Sequence, residues 1–378
     1  MVQNTPPMGW NTWNAFGDAI NEQVVLDAAK GLVLSGLAAA GYRYVVIDDC
    51  WSMPERDSAG ELVANPEKFP HGMRALADQI HGMGLLFGMY SCAGNLTCAG
   101  LPGSFDNEFR DARRFAEWGV DFLKYDYCYH TPVLQAKYHY RRMGLALANC
   151  GRDILFSACS WGVEETQDWI RSTGAQMWRS TGDIWDSWET VKGIITAQDR
   201  FAPYGGVGCF NDMDMLTVGM NGVGNKGYDQ KGCTADEYRT QFSAWCLFGS
   251  PLMVGCDVRN LSAETAAILT NPTALAINQD AACRQVFALS PWSGNPLDTV
   301  RVRLLSDGSL AIGIFNLNDS DSQIVCAMDE LGLPRTCGKK LILREAWTGE
   351  TYIPRNGVLE AKLHAHECRL YVGKPADV

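Results

Sequence analysis

The residues that could do chemistry in this chain of 378 amino acids are acidic, and each group follows a short apolar run. Asp48 and Asp49 come directly after Tyr44-Val-Val-Ile47. Asp126 closes a run that starts at Val120, two residues beyond Lys124. Arg179 and Asp183 share Trp178-Arg-Ser-Thr-Gly-Asp183, and two more aspartates stand in Asn211-Asp-Met-Asp-Met215. An apolar run with a carboxylate behind it reads as a buried parallel strand and the loop at its C-terminal end. In a (β/α)8 barrel, catalytic side chains stand at those ends. A pair of such carboxylates can hydrolyse a glycoside, one ionised as nucleophile and one protonated as acid. The others, with tryptophans such as Trp13 and Trp51, would hold hydroxyls and the apolar face of a sugar. Pattern alone does not choose the pair. A metal-dependent hydrolase would also gather aspartates.

Histidine placement weighs against the metal alternative. Of the six histidines, at 71, 81, 130, 139, 364 and 366, only His130 lies near a strand end. No glycine-rich phosphate loop follows the later strands. The formal net charge of −11 speaks against a nucleic-acid partner and against docking on an anionic membrane. No apolar run approaches the ~20 residues of a membrane span. The 14 cysteines contain no CxxC pair, so a structural zinc site is not expected. Several, such as Cys246 in Ala-Trp-Cys-Leu-Phe, read as buried free thiols. Cys50 and Cys159 have no patterned histidine beside them and read as packing or pocket lining, not as nucleophiles. The start, Met1-Val-Gln-Asn-Thr-Pro-Pro, lacks a basic stretch and an apolar core. A cytoplasmic location is therefore expected, or secretion if a signal was removed. Asn95-Leu-Thr97 is a glycosylation sequon of the kind that arises often by chance.

The elements that must position these residues alternate over the first ~285 residues, as βα units do. Strands are expected at Tyr44-Val-Val-Ile47, Leu85 to Tyr90, Val120 to Tyr125, Ile154 to Ser157 and Pro251 to Gly255. Asn21 caps a helix that carries Val24, Val25, Ala28 and Leu32 and stops at Gly36. Phe109, Ala112, Phe115 and Ala116 mark another, ending at Gly119. Thr234-x-x-Glu237 is a capping box that opens a helix burying Tyr238, Phe242 and Trp245. Near residue 290 the period changes. Thr299-Val-Arg-Val-Arg-Leu alternates, Ser306-Asp-Gly-Ser turns, and Leu310 to Phe315 is the next strand. The expected architecture is α/β: a (β/α)8 TIM barrel over 1–288, followed by a small antiparallel β-sandwich over 289–378. The second domain would cap the barrel, with a separate sugar-binding role as the alternative.

At this point the residues become recognisable. Thr5-Pro-Pro-Met-Gly-Trp-Asn-Thr-Trp13, Ile47-Asp-Asp-Cys-Trp51 and Lys124-Tyr-Asp126 occur in order, followed by Trp178-Arg-Ser-Thr-Gly-Asp183, Asn211-Asp-x-Asp-Met215 and Ile277-Asn-Gln-Asp280. Over nearly its whole length the chain resembles glycoside hydrolase family 27, the α-galactosidase and α-N-acetylgalactosaminidase family. The resemblance implies Asp126 as nucleophile and Asp183 as acid/base of a retaining exo-glycosidase. It implies that Asp48 and Asp49 take the C4 and C6 hydroxyls, Lys124 the C3 and C4 hydroxyls, and Arg179 the region of C2 or C3. Trp13 would be the apolar wall, with Tyr90, Cys128, Cys159 and Met215 lining the pocket. The resemblance also implies a Cys98–Cys128 disulfide. No metal, nucleotide or other cofactor is expected. The substrate would be a small molecule or oligosaccharide with terminal α-galactose, and the oligomeric state is left open.

Three departures break the family pattern. Tyr127 replaces a common Asn or Gly and would reshape the aglycone side, Cys92 replaces Asp, and Cys209-Phe210 replaces Gly-Trp. Cys159-Ser160-Trp161 raises a fourth question. Some relatives carry Glu at the Ser160 position beside C2 of the sugar, and Ser there would make room for an N-acetyl group. Galactosides come first on this reading, and α-N-acetylgalactosaminides are the rival. A β-L-arabinopyranosidase ranks lower because both Asp48 and Asp49 are kept. A non-catalytic sugar-binding barrel is the reading of a different class.

Overall fold

The computed structural model describes residues 4–227 and 230–377. Residues 1–3, part of the N-terminal stretch read for a signal, lie outside the described residues. Eight parallel strands run in the order β7-β6-β5-β4-β3-β2-β1-β8. They are β1 Met8–Asn11, β2 Tyr44–Val46, β3 Leu86–Cys92, β4 Phe122–Asp126, β5 Leu155–Cys159, β6 Met177–Arg179, β7 Phe210–Asp212 and β8 Leu252–Val254. The segment after β7 meets β8 through one parallel bridge, Leu216 with Val254, which closes the ring. Helices lie between the strands, so the expected (β/α)8 barrel is present.

Local chemistry sets the helix ends. The Asn21 side chain accepts from the Val24 amide at 2.9 Å and opens the helix Glu22–Leu34. The Thr234–Glu237 capping box forms in full at the start of Ala235–Phe248. That helix buries Tyr238, Phe242 and Trp245 as expected. In Glu108–Trp118 the apolar pattern is only partly used, because Phe109 is 52 % exposed while Ala112 and Phe115 are buried.

The C-terminal part is antiparallel. A six-stranded sheet runs β14-β13-β16-β11-β10-β9, and β12 (Ser322–Ala327) pairs with β15 (Val358–Leu363) beside it. The sheet comprises β9 Phe287–Leu289, β10 Asp298–Leu304, β11 Leu310–Asn316, β13 Lys339–Glu345, β14 Thr351–Tyr352 and β16 Cys368–Asp377. The last barrel helix ends at Asn278, so the expected boundary after residue 288 falls inside β9. One face of the sheet makes a second core with β12 and β15, built from residues such as Val300, Ile314, Ile324 and Leu359. The other face is covered by the barrel. Ala311, Phe315, Leu317 and Leu370 join the barrel's own core.

The alternation in β10 therefore produces no wet face. Arg303 is 1 % exposed, with its guanidinium on the carbonyls of Cys246 and Ile277. Both carbonyls already have backbone donors, from Gly249 and Gln279. A buried cation of this kind costs desolvation that carbonyl contacts repay only in part. Arg303→Met, which keeps length and apolar stem, is expected to hold or raise the melting temperature. Arg303→Ala is expected to lower stability by about 2 kcal/mol or more through the cavity it leaves. Thermal and urea unfolding of the two variants checks this.

Candidate active site

Strand geometry brings the acidic groups together. Side chains alternate along β4, so Lys124 and Asp126 point into the barrel while Leu123 and Tyr125 face the helices. Tyr125 packs edge-on against Tyr140 and Phe156. Lys124 Nζ donates to Asp48 Oδ2 at 2.9 Å and lies 3.8 Å from Asp126 Oδ2. Asn11, at the end of β1, donates to the same Asp48 oxygen at 2.7 Å. Asp49 accepts from the amides of Cys50 and Ala99 at 2.7 and 2.8 Å. Burial nevertheless raises the Asp49 carboxyl above its usual range, those hydrogen bonds opposing it.

Asp126 is 5 % exposed. Burial pushes its pKa up to about 7, with Lys124 pulling it back and Asp183 and Asp48 adding to the rise. Asp183 sits at the open side, its side chain 47 % exposed. Burial alone would raise this group, but Arg179 outweighs it, and the carboxyl is held below the usual range. The Arg179 guanidinium is shared. One nitrogen lies 2.9 Å from Asp183 Oδ1 and the other 2.9 Å from Asp214 Oδ1. Asp214 Oδ2 accepts from the Ile184 amide at 2.7 Å.

The backbone turns sharply where the loops leave the strands. Cys50, Trp161 and Asp214 follow β2, β5 and β7 with φ of 70°, 55° and 76°. Non-glycine residues in this region are uncommon and cluster at functional sites. Gly162, next to Trp161, also has a positive φ of 77°, and a Cβ there would meet the Ser180 carbonyl at 2.3 Å. The turn thus needs a glycine to pass the end of β6 and present the tryptophan.

One pocket collects most of the expected residues. Trp13, Asp48, Asp49, Tyr90, Lys124, Asp126, Cys128, Arg179, Asp183 and Met215 all line it. Its volume is about 120 Å³. At ~10–15 Å³ per water-sized group, that accommodates on the order of ten such groups, one monosaccharide and not two. The disulfide implied by the resemblance is present between Cys98 and Cys128, with the Tyr90 hydroxyl 3.2 Å from the Cys98 sulfur.

Four expectations are corrected. Ser160 does not line the pocket: it is fully buried and its hydroxyl bonds Thr166 Oγ1 at 2.7 Å. Cys159 lies below the pocket, where its sulfur takes a contact of 3.6 Å from Arg179. Trp51 is core, with its ring edge-on to Trp118 and its indole N–H on the Tyr90 carbonyl. Tyr127 faces the helix layer, stacked on His130 with its hydroxyl on Glu164, so it does not shape the aglycone side. Sequence reasoning missed Asn14, Trp161, Ile184 and Asp214 as lining residues. Asp214 stood in a recognised motif without a role, and Trp161 stood one residue from the serine that was chosen.

Among the described residues, the grouping with metal-ligand character is Cys98, Asp126 and Cys128. Two of its three members are joined to each other and offer no thiolate. A wider groove of about 540 Å³ lies between the helix Ala235–Phe248 and the C-terminal sheet. Its arginines are already paired, Arg239 with Asp236 and Glu264, and Arg369 with Glu367. The groove therefore offers no group poised for reaction. No helix among the described residues is long and apolar enough to cross a membrane.

Known proteins resemble the chain over nearly its whole length. Residues 5–280 match the family model described as alpha galactosidase A, and residues 299–372 match that of the alpha galactosidase C-terminal beta sandwich domain. An alpha-galactosidase of Cyamopsis tetragonoloba is 41 % identical over 98 % of this chain and 86 % of its own length. The crystal structure of alpha-galactosidase I from Mortierella vinacea superposes with a TM-score of 0.90 at 32 % identity, covering 98 % of this chain and 97 % of that one. A Saccharomyces cerevisiae alpha-galactosidase solved with raffinose gives a TM-score of 0.86 at 28 % identity, over 99 % and 98 % of the two chains.

The buried Asp126 carboxyl has a consequence for stability. A group whose folded pKa lies above its unfolded value stabilises the protein below the unfolded pKa, and this contribution is lost as pH rises through the folded one. For Asp126 the loss runs from the ordinary carboxylate range up to about 7. Asp126→Asn is therefore expected to melt higher than wild type at neutral pH, with the gap closing as pH falls toward 4. Melting curves of both proteins across that range check the sign.

Proposed function

The chain belongs to glycoside hydrolase family 27, the α-galactosidase family, and we propose that its pocket removes terminal α-galactosyl residues by double displacement through Asp126 and Asp183. The chain is a glycoside hydrolase of the α-galactosidase type. One observation carries the assignment of roles. Two carboxyls share a one-sugar pocket, Asp126 buried against Lys124 and Asp183 on Arg179 at the exposed side.

Asp126 attacks the anomeric carbon from the floor, while Asp183, facing the mouth, protonates the departing oxygen. Water then takes the place of the aglycone. Asp183 removes its proton, and the bond to Asp126 breaks with a second inversion. A carboxyl raised to about 7 beside one held low means that the pair keeps one proton over the acidic range. The first step needs that proton on Asp183. Positive charge developing at the anomeric centre favours Asp126 as the anion and leaves the proton on Asp183.

The order of strands around the barrel orients the sugar. If Asp48 and Asp49 after β2 take the C4 and C6 hydroxyls and Lys124 on β4 takes C3 and C4, then C2 faces the ends of β5 and β6. Trp161 and Arg179 line the pocket there. Trp161, and not Ser160, is the residue that fills the C2 side. This favours galactosides over N-acetylgalactosaminides. Both aspartates after β2 are kept, which favours a hexose carrying a C6 hydroxyl over a pentopyranose. Two carboxylates suffice for this chemistry, so no cofactor is called for. The substrates are small or oligosaccharide α-galactosides. The Cys98–Cys128 bridge supports the secreted alternative over a cytoplasmic one, since disulfides persist in oxidising compartments.

Asp126→Asn is expected to lose at least about 10³-fold in kcat on an aryl α-galactoside with its fold intact. Proton NMR of wild-type turnover should show the α anomer first; the β anomer first would rule out retention. Trp161→Ala should gain α-N-acetylgalactosaminidase activity while galactoside kcat/KM falls by about tenfold or less. If this variant gains none, Trp161 does not guard C2.

A further inference from the structure

Asp214 takes no proton in the steps above, yet it touches both things that fix Asp183. Its Oδ1 lies 2.9 Å from one nitrogen of Arg179, whose other terminal nitrogen lies 2.9 Å from Asp183. Its Oδ2 accepts at 2.7 Å from the amide of Ile184, the residue that follows Asp183. The residue is only 7 % exposed, and its backbone is held in the left-handed region at φ 76°. Its amide donates to Asp212 Oδ1 at 2.9 Å, and its carbonyl accepts from the Trp245 indole at 2.7 Å. A buried aspartate locked from both sides of its backbone and committed through both oxygens is built to hold something still.

We propose that Asp214 is a positioning residue for Asp183, sharing the charge of Arg179 and pinning the backbone at Ile184 so that Asp183 can carry a proton toward the leaving oxygen. The proposal rests on Asp183 being the acid/base group. Arg179 faces Asp183, Asp214, Asp212 and the Cys159 sulfur. While Asp214 is charged, the guanidinium divides its attraction between two carboxylates. Without that charge, Arg179 leans on Asp183 alone and stabilises its anion. A carboxyl held as the anion cannot protonate a leaving group. The defect must then grow with the basicity of that group, which loss of sugar binding or of general stability would not produce.

The experiment compares kcat/KM on dinitrophenyl α-galactoside, whose leaving group needs no acid, with methyl α-galactoside, whose leaving group does. Asp183→Ala is the benchmark. Asp214→Asn removes the charge and tolerates the left-handed backbone, and Asp214→Gly removes the whole side chain at a position glycine accepts. Asp183→Ala should lose far more on the methyl than on the dinitrophenyl substrate. If it loses equally on both, the acid/base reading itself fails. With that benchmark met, both Asp214 variants are expected to lose about tenfold or more extra on the methyl substrate, one pKa unit being tenfold in the protonated fraction. Equal losses on the two substrates overturn the proposal. It is also overturned if neither variant yields folded protein with the wild-type circular dichroism, because Asp214 is then a stability residue.

Discussion

Six aspartates share one end of the barrel with two cations. Asp48, Asp49, Asp126, Asp183, Asp212 and Asp214 crowd around Lys124 and Arg179, and most of them are buried. Each cation has to serve more than one carboxylate. Burial would drive both cations toward neutrality, but their acidic neighbours outweigh it and raise their pKa values. Two of the carboxyls are moved toward the protonated form. Asp126 is pushed to about 7 and Asp212 to about 6, burial being the main cause in each. Burial thus leaves a titratable carboxyl, Asp126, at the floor of the pocket, and the neighbouring carboxylates add to its rise.

The backbone around the site is bent as well. Carboxylates on neighbouring strands must turn toward one axis within a residue or two of the strand end. Left-handed turns at Cys50, Trp161 and Asp214 follow three different strands, and Asp214 itself is one of the carboxylates. Each costs conformational energy that the surrounding hydrogen bonds offset. At Asp214 the bonds come from the Ile184 amide and the Trp245 indole, so the loop carrying Asp183 and the helix Ala235–Phe248 meet at one strained residue.

Much of this was legible in the sequence, and the gaps have physical causes. Lys124 and Asp126 could be read because a strand repeats every two residues, which puts both on the inner face. The capping box at Thr234 could be read because its bonds are local. By contrast β1, β6 and β7 are about as short as β2 and β8 but carry the polar residues Asn11, Arg179, Asn211 and Asp212, so no apolar run marks them. Ser160 was taken for the pocket residue because the resemblance to the family matches positions and does not see φ. The left-handed turn at Trp161 presents the next side chain instead. Arg303 looked like part of an alternating pattern because sequence does not record that both faces of its sheet are covered. Asp214 was visible as a motif, but its two partners lie 35 and 30 residues away in the chain.

The covered sheet has a last consequence. The chain matches two family models and folds into two recognisable parts, yet the six-stranded sheet lends Ala311, Phe315 and Leu370 to the hydrophobic interior of the barrel. Arg301 reaches across to Asp199, and His366 stacks on Trp188 while bonding Glu237. The C-terminal part keeps a small core of its own between its two sheets, but the barrel's core is completed only by residues of that part. The two parts are expected to unfold as one cooperative unit, with a single calorimetric transition in place of two. Trimming the chain after residue 280 would leave an apolar flank of the barrel open to water, and an aggregating fragment in place of a minimal enzyme.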